Sequence, residues 1–199
     1  MNRPVASAAQ TDAALVEAAR GGDVASYGRL VERFQPVAHR TAFALGAGDE
    51  TADVVQEAFV KAYLALGRFR AGEPFRPWLL AIVVNETRNR WRWSHRHPTV
   101  PLPLLGEDIS SSDRTPEQAA EDRETSRLLR DAVVALPTRQ REVVVCRYLL
   151  DLSERETSLV LGIPGGTVKS RLSRGLAALR EVLHPKLSPA ATDTERPDG

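Results

Sequence analysis

The stretch at residues 98–116, PTVPLPLLGEDISSSDRTP, most limits what this chain can fold into. It contains four prolines, three consecutive serines and three acidic residues, which break any helical or strand periodicity. The chain is therefore predicted to form two units joined by a linker. We place the boundaries at 1–10 (disordered N-terminus), 11–96 (first unit), 97–126 (linker), 127–183 (second unit) and 184–199 (disordered tail).

Each unit must close its own core without covalent support, because the chain has one cysteine, Cys146, which we expect in a core. Apolar residues recur at helical spacing, and alternating strand patterns and hairpin signals are absent. We predict an all-α protein of two small helical domains. Thr11 or Asp12 is predicted to cap the first helix and Asp23 the second, with a kink or break at Pro36.

The composition excludes several classes of protein. No apolar run approaches the ~18 residues that a membrane span requires, and the first ten residues lack the apolar core of a secretory signal. We therefore expect a cytoplasmic protein. The four histidines show no ligand spacing, and no phosphate-binding glycine loop or nucleophile motif is present. We expect no catalytic residue, no metal and no cofactor.

Charge is distributed unevenly along the chain. The formal charge of +1 divides into a basic segment at 1–97, an acidic one at 98–126, a second basic one at 127–183 and a slightly acidic tail at 184–199. Arginine strongly outnumbers lysine, and its planar guanidinium suits phosphates and guanine edges. Two basic units joined by an acidic connector fit a partner rich in phosphate, although a GC-rich genome would also favour arginine.

A helix beginning near Asp49 is predicted to have one polar face. At 100° per residue, Asp53, Gln56 and Glu57 lie opposite an apolar face. That apolar face comprises Ala52, Val55, Ala58, Phe59, Ala62, Tyr63 and Leu66. The polar face is either an ordinary solvated surface or a docking surface for a basic partner.

The segment 75–93 is predicted to form a basic helix with aromatic residues. Asn85, Arg88, Asn89 and Arg92 share a stripe, at spacings i, i+3, i+4 and i+7. Guanidinium groups neutralise phosphates, and tryptophan rings stack on unpaired bases. The nearby Trp91 and Trp93 therefore fit single-stranded nucleic acid, but they also fit a core beside solvated arginines.

Residues 152–180 have the pattern of a helix-turn-helix. Ser153 and Glu156 have the spacing of a capping box, and Gly162 and Pro164 favour a tight turn. The second helix is predicted to bury Val168, Leu172, Leu176, Leu179 and Leu183. Its outward residues, Thr167, Ser170, Arg171 and Arg174, combine hydroxyls with guanidinium groups, as major-groove reading requires. A plain helical hairpin with a basic face is the alternative.

Four segments together resemble the extracytoplasmic-function class of bacterial sigma factors, which are small members of the sigma-70 family. They are DVVQEAFVKAY at 53–63, FRPWLLAIVVN at 75–85, LPTRQREVVVCRYLLDLS at 136–153 and LGIPGGTVKSRLSRGLAAL at 161–179. Residues 11–96 resemble sigma region two and 127–183 resemble region four. The resemblance implies an alternative sigma factor that binds core RNA polymerase and directs promoter recognition, DNA melting and transcription initiation.

The resemblance also implies roles for particular residues. Docking on the clamp helices of the polymerase beta-prime subunit is implied for Asp53, Gln56 and Glu57, with Phe59 behind them. Contact with the minus-ten element is implied for Asn85, Arg88, Asn89 and Arg92, and the loop at 66–74, which includes Arg70, matches the one that captures a flipped base. Reading of the minus-thirty-five element is implied for Thr167, Lys169, Ser170, Arg171 and Arg174.

The implied partners are core polymerase (beta-prime clamp and beta flap), promoter DNA and an anti-sigma protein, with membrane contact only through the anti-sigma protein. The acidic linker matches the segment that follows the nascent RNA path, and we hypothesise that Glu107, Asp108 and Asp113 repel the transcript there. The chain departs from the usual family pattern at Val84, Asn89, Thr157, Ser158 and Gly165.

Two other functions remain open from the sequence. A sigma-like decoy would bind polymerase or an anti-sigma protein without starting transcription, and the departures at Val84, Thr157 and Ser158 favour it. A free-standing helix-turn-helix regulator would act without polymerase, with residues 11–96 as a sensing domain. Binding to core polymerase distinguishes the regulator from the sigma factor.

Overall fold

The computed structural model describes residues 5–70, 72–96 and 116–187. In this part of the chain all regular structure is helical and no strand occurs, which confirms the all-α prediction. The helices are α1 (Val5–Arg20), α2 (Val24–Ala44), α3 (Thr51–Ala65), α4 (Phe75–Arg96), α5 (Pro116–Ala135), α6 (Thr138–Val144), α7 (Glu154–Leu161) and α8 (Gly165–Leu187). Short 3₁₀ turns precede and follow α3, and a π turn at Val145–Leu149 continues α6.

The start of α1 differs from the prediction. The helix begins at Val5, so residues 5–10 are helical rather than disordered and Asp12 is no cap. The alanine-rich start favours this extension. Asp12 instead forms an ion pair with Arg33 of α2.

The boundary between α1 and α2 agrees with the sequence. Gly22 has φ 96° after α1, a conformation that favours glycine. Asp23 then caps α2 by accepting a hydrogen bond from the Ala25 amide. Helix α2 continues through Pro36 without the predicted break. Both Pro36 and Glu32, whose carbonyl loses its helical donor, are exposed, so water can solvate that carbonyl.

The N-terminal unit, α1 to α4, is built around α4. Helices α2 and α3 both pack against it, and it contributes the fully buried Leu79, Leu80 and Val83. No helix in the described ranges is long and apolar enough to cross a membrane.

The C-terminal unit consists of α5 to α8. Ser153 and Glu156 form the predicted capping box at the start of α7, and Gly162 ends that helix in the left-handed conformation at φ 66°. Helix α5 begins at Pro116, so residues 116–126, which the sequence analysis assigns to the linker, are helical. Proline suits the first turn of a helix, and good helix formers follow it. Helix α8 likewise extends to Leu187; the predictions for 1–4, 97–115 and 188–199 fall outside the described residues.

The two units pack against each other. Helix α4 of the first contacts α7 of the second, and a continuous apolar core runs through both. Leu79 and Val83 belong to the same buried cluster as Val143 and Leu150. Sequence periodicity predicts that these residues are buried, but it does not predict that they share one core.

We expect Gly175→Ala to lower the free energy of unfolding by about 1–2 kcal/mol, measured by urea denaturation. Helix α8 crosses α6 at this position, and an added methyl group would lie 2.9 Å from Val144 Cγ2. The overpacking outweighs the gain of at most about 1 kcal/mol in helix propensity. Gly166→Ala, in the same helix but in open space, is the matched control and should be neutral or stabilising. Equal effects of the two variants would contradict the close approach.

We expect Thr157→Val to raise the free energy of unfolding by about 1–2 kcal/mol. Thr157 is fully buried and its hydroxyl has no hydrogen-bond partner, whereas valine has the same shape without the polar atom. Thr41→Val is the control, because the equally buried Thr41 hydroxyl donates to the Val37 carbonyl at 2.6 Å. Urea denaturation should show opposite signs for the two variants; a loss of stability in Thr157→Val would refute the interpretation.

Candidate functional site

The polar face of α3 is exposed as predicted. Asp53, Gln56 and Glu57 all lie on the surface. Phe59 lies beneath them in the core, 6% exposed, and its carbonyl accepts a hydrogen bond from the Tyr27 hydroxyl at 2.5 Å. Phe59 therefore supports this surface from behind and does not form part of it.

The edges of the apolar face differ from the prediction. Ala52 is exposed and Tyr63 is 41% exposed, whereas Val54 is buried. The face turned inward is therefore rotated, because α3 packs against both α2 and α4.

Ion pairs connect α3, and the turn before it, to α4. The Arg90 guanidinium lies 2.9 Å from a Glu50 carboxylate oxygen and 3.3 Å from one of Asp53. Lys61 Nζ lies 2.5 Å from Glu86 Oε2 and 3.3 Å from Glu57 Oε1. The hydrogen bond from Lys61 to Glu86 raises the pKa of the lysine. A cationic partner docking on Asp53 or Glu57 must compete with these internal cations.

Three of the four residues in the predicted stripe on α4 are exposed: Asn85, Asn89 and Arg92. Arg92 Nη2 donates to Asn89 Oδ1 at 2.6 Å, and Asn89 Nδ2 donates to Glu86 Oε1 at 3.2 Å. These contacts orient the amide of Asn89 and the guanidinium of Arg92 along one surface of the helix.

The α3 face and the α4 stripe meet at one open depression of about 540 Å³ between the two helices. It is lined by Asp53, Val54, Glu57, Glu86, Asn89, Arg90, Arg92 and Trp93. The sequence predicts two separate surfaces for two different partners, and the structure places them side by side.

The two tryptophans near the end of α4 lie on the surface. Trp91 is 46% and Trp93 49% exposed, which excludes the alternative that they form a core. The Arg90 guanidinium carbon lies 5.6 Å from the centroid of the Trp93 ring, within cation–π range. Both rings retain exposed surface on which a base could stack.

Arg70 is exposed in the loop that precedes α4. The neighbouring Phe69 is buried and meets Phe75 and Trp78 edge-on, at centroid distances of 5.9 and 5.0 Å. This aromatic cluster anchors the described part of the loop to the start of α4.

Arg88, the fourth residue of the stripe, faces the other unit. Its Nε and Nη2 atoms donate to the two carboxylate oxygens of Glu142 in α6, at 2.6 and 2.8 Å. Glu142 is only 4% exposed, and its hydrogen bonds raise the pKa of Arg88. Sequence reasoning missed this pair; the available signal was Glu142 itself, the only acid between Asp131 and Asp151, directly before an apolar run.

Further polar contacts surround this pair. Arg76 Nη2 donates to the Leu150 carbonyl at 2.6 Å, and Arg141 Nη1 donates to the Leu45 carbonyl at 3.0 Å, both between the units. Cys146 is fully buried, which confirms its prediction as a core residue. Burial, reinforced by the charge of Glu142, raises its pKa to about 12.

The outward face of α8 is basic and open. Lys169, Ser170 and Arg174 are exposed, and Thr167 and Arg171 are half-buried. Arg174 Nε donates to the Ser170 carbonyl at 3.2 Å, which orients its side chain along the helix. Behind this face, Val168 and Leu179 are buried as predicted, while Leu172, Leu176 and Leu183 are half-buried.

Family comparisons match both units. The family described as "Sigma-70 region 2" matches residues 30–97, and the one described as "Sigma-70, region 4" matches residues 126–179. The ECF RNA polymerase sigma-E factor of Haemophilus influenzae is 32% identical, over 90% of this chain and 96% of that protein. The ECF RNA polymerase sigma factor SigM of Mycobacterium tuberculosis is 35% identical, over 87% of this chain and 85% of that protein.

Solved structures show the same fold. CnrH, in a complex with the cytosolic domain of CnrY, superimposes with a TM-score of 0.67 at 28% identity, over 88% of this chain and 98% of that one. The sigma factor RpoE of Bartonella quintana, in a complex with the anti-sigma factor NepR, gives a TM-score of 0.63 at 23% identity, over 82% and 98%.

Proposed function

The chain belongs to the extracytoplasmic-function class of the sigma-70 family, whose members are alternative sigma factors that direct transcription initiation, and from this premise we propose which of its surfaces bind polymerase and which bind promoter DNA. The observation that carries the proposal is the adjacency of the acidic face of α3 and the amide and arginine stripe of α4. One surface of region two would thus bind a protein and a nucleic acid side by side.

The α3 face binds core RNA polymerase in this proposal. Asp53, Gln56 and Glu57 contact the beta-prime clamp helices, and Phe59 holds them in position from the core. A basic partner would displace Arg90 from Asp53 and Lys61 from Glu57. Since these exposed internal pairs are individually weak, such an exchange costs little.

The α4 surface binds the minus-ten element. Asn85, Asn89 and Arg92 are exposed and can contact a strand directly, and Arg88 joins them once its pair with Glu142 opens. Arg70 approaches from the preceding loop. Trapping unstacked bases offsets the few kcal/mol that unpairing costs, and the exposed Trp91 and Trp93 supply stacking surfaces nearby.

The α8 surface binds the minus-thirty-five element as duplex. Thr167, Lys169, Ser170, Arg171 and Arg174 provide hydroxyl, ammonium and guanidinium donors on a stretch that has no acidic residue. Each good bidentate contact to a base is worth about 1–3 kcal/mol of discrimination.

Regulation by an anti-sigma protein in the cytoplasm is the further part of the proposal. The RpoE structure described above contains an anti-sigma factor, and the exposed apolar residues Leu64 and Leu159, one in each unit, offer contact area for such a partner. We also propose a beta-flap contact for region four and, for the acidic linker, a position along the RNA path.

The departures from the family pattern do not favour a decoy. Val84 is fully buried, so it strengthens the core and leaves the DNA stripe unchanged. The Ser158 hydroxyl donates to the Ile163 carbonyl in the helix-turn-helix, so this serine supports the turn. Of these three departures, only Thr157 has a buried hydroxyl without a hydrogen-bond partner.

We expect Asp53→Asn together with Glu57→Gln to weaken binding to sigma-free core polymerase at least tenfold, or about 1.4 kcal/mol. The substitutions remove negative charge from the α3 face and retain the side-chain shape. The readout is the dissociation constant in a surface-binding assay. Glu32→Gln, an exposed acid on α2, is the control and should bind as the unmodified protein does. If the unmodified protein does not bind core polymerase, the proposed function is wrong and the free-standing regulator becomes the favoured function.

We expect Arg171→Ala together with Arg174→Ala to lower transcription from this factor's promoters by about 10–100-fold, since two arginine contacts are lost. Transcript starts are mapped after mixing protein, core polymerase and fragmented source DNA. Arg180→Ala, an exposed arginine of α8 outside the proposed face, is the matched control and should retain discrete starts with shared upstream motifs. If the double variant gives the same amount of transcript from the same starts as the unmodified protein, the assignment of α8 is wrong. If the unmodified protein binds core polymerase but produces no discrete transcript starts, the decoy is favoured.

A further inference from the structure

We propose that Glu86 on α4 is a positioning residue: it fixes the side-chain amide of Asn89 in one orientation and thereby decides which hydrogen-bonding pattern Asn89 presents to a base of the minus-ten strand. The fixed orientation of the amide follows from contacts within region two. Its consequence for base selection rests on the function proposed above for Asn89.

The two neighbours of the Asn89 amide allow it only one orientation. Asn89 Oδ1 accepts a hydrogen bond from Arg92 Nη2 at 2.6 Å, and Asn89 Nδ2 donates one to Glu86 Oε1 at 3.2 Å. A guanidinium can only donate hydrogen bonds, and an ionised carboxylate can only accept them. A flipped amide would place its oxygen against the carboxylate and its NH₂ group against the guanidinium, so both hydrogen bonds would become repulsive contacts.

Lys61 of α3 holds the Glu86 carboxylate in place. Lys61 Nζ donates to Glu86 Oε2 at 2.5 Å, and only 12% of the Glu86 side chain is exposed. The carboxylate cannot rotate away from Asn89 without losing this contact between the two helices. An exposed, unpaired acid on a DNA-binding surface would repel phosphates, whereas the paired and largely buried Glu86 avoids this penalty.

Asn89 nevertheless remains open to a nucleic acid. It is exposed and lines the depression between α3 and α4. An amide oxygen has two acceptor positions and an amide nitrogen has two donor hydrogens, so each atom keeps one position for a base after its internal hydrogen bond is made. Asparagine reads a base edge through such a pair of one donor and one acceptor.

The order of the donor and the acceptor determines which base is selected. The two ends of an amide are nearly equal in size, so shape alone does not prevent a flip. A base edge that is rejected by one orientation is accepted by the flipped one, and an amide that flips freely discriminates poorly between bases. Glu86 therefore contributes to base selection through Asn89, without contacting the DNA itself.

The test measures base preference with the protein bound to core polymerase. A promoter found by the transcript mapping described above is rebuilt with a randomised minus-ten element and a barcode in the transcribed region. Sequencing of the transcripts gives the output from each variant of the element. The preference at each position is the ratio of the output with the best base to the mean output with the other three.

We expect Asn89→Ala to lower the preference at one position of the element about tenfold, because both contacts to the base are lost. Glu86→Gln should lower the preference at the same position about fivefold, because a glutamine amide donates as well as accepts and so permits both orientations of Asn89. The double variant should lower it no further than Asn89→Ala alone, because Glu86 acts only through Asn89.

Glu17→Gln is the matched control. It makes the same substitution in an ion pair with Arg20 on α1, outside the depression that Asn89 lines, and should leave every base preference unchanged. Circular dichroism and a cooperative urea transition identify the variants that remain folded.

A second measurement examines the amide in the free protein and does not depend on transcription. The two side-chain amide protons of Asn89 give a pair of proton–nitrogen NMR signals, identified by its absence from Asn89→Ala. In the unmodified protein, the proton bound to the Glu86 carboxylate should be shifted downfield of its partner's usual position, and Glu86→Gln should remove most of that shift. An unshifted pair in the unmodified protein would overturn the proposal.

Failure of this inference and failure of the proposed function give different results. If Asn89→Ala lowers one preference and folded Glu86→Gln retains it, the positioning role is wrong and the assignment of Asn89 stands. A uniform loss of transcription in Glu86→Gln with unchanged preferences, or a further loss of preference in the double variant, would also overturn the positioning role. If Asn89→Ala alters no preference, the assignment of Asn89 to the minus-ten element is wrong and the positioning role is wrong with it.

Discussion

The rest of this structure depends on the burial of α4 on more than one side. Leu79, Leu80 and Val83 bury it in region two, and the same helix packs against α7 of region four. A helix that packs against neighbours on several sides has little solvent-exposed surface left for binding. Its exposed residues are therefore confined to the stripe containing Asn85, Asn89 and Arg92 and to the last turns, where Trp91 and Trp93 lie.

The polar surfaces follow from the same constraint. Because α3 and α4 pack closely, their charged side chains pair across the groove, Arg90 with Asp53 and Lys61 with Glu86. The carboxylates proposed to bind polymerase are therefore already oriented by internal cations. Such pairs hold the side chains in position and are weak enough, at the surface, to exchange for a partner's charges.

Much of this site could be predicted from helical periodicity alone. The exposure of Asp53, Gln56 and Glu57 and of the basic face of α8 follows from 3.6 residues per turn and the apolar stripe opposite. The capping box of Ser153 and Glu156 and the glycine turn after it are equally local, because each contact joins residues a few positions apart. Periodicity was less reliable for Tyr63 and Val54, where packing against two neighbouring helices rotates the buried face.

The sequence by itself determined the helical class, the two units, the family and the exposed polar faces of α3 and α8, since all of these depend on local spacing and on short motifs. Only the tertiary structure decided which charges meet. Arg88 and Glu142 are 54 residues apart in the chain, and their pairing requires α4 and α6 to be brought together by an apolar core that both units share. No local pattern encodes that approach, because the free energy that drives it comes from burying apolar surface and has no preferred direction.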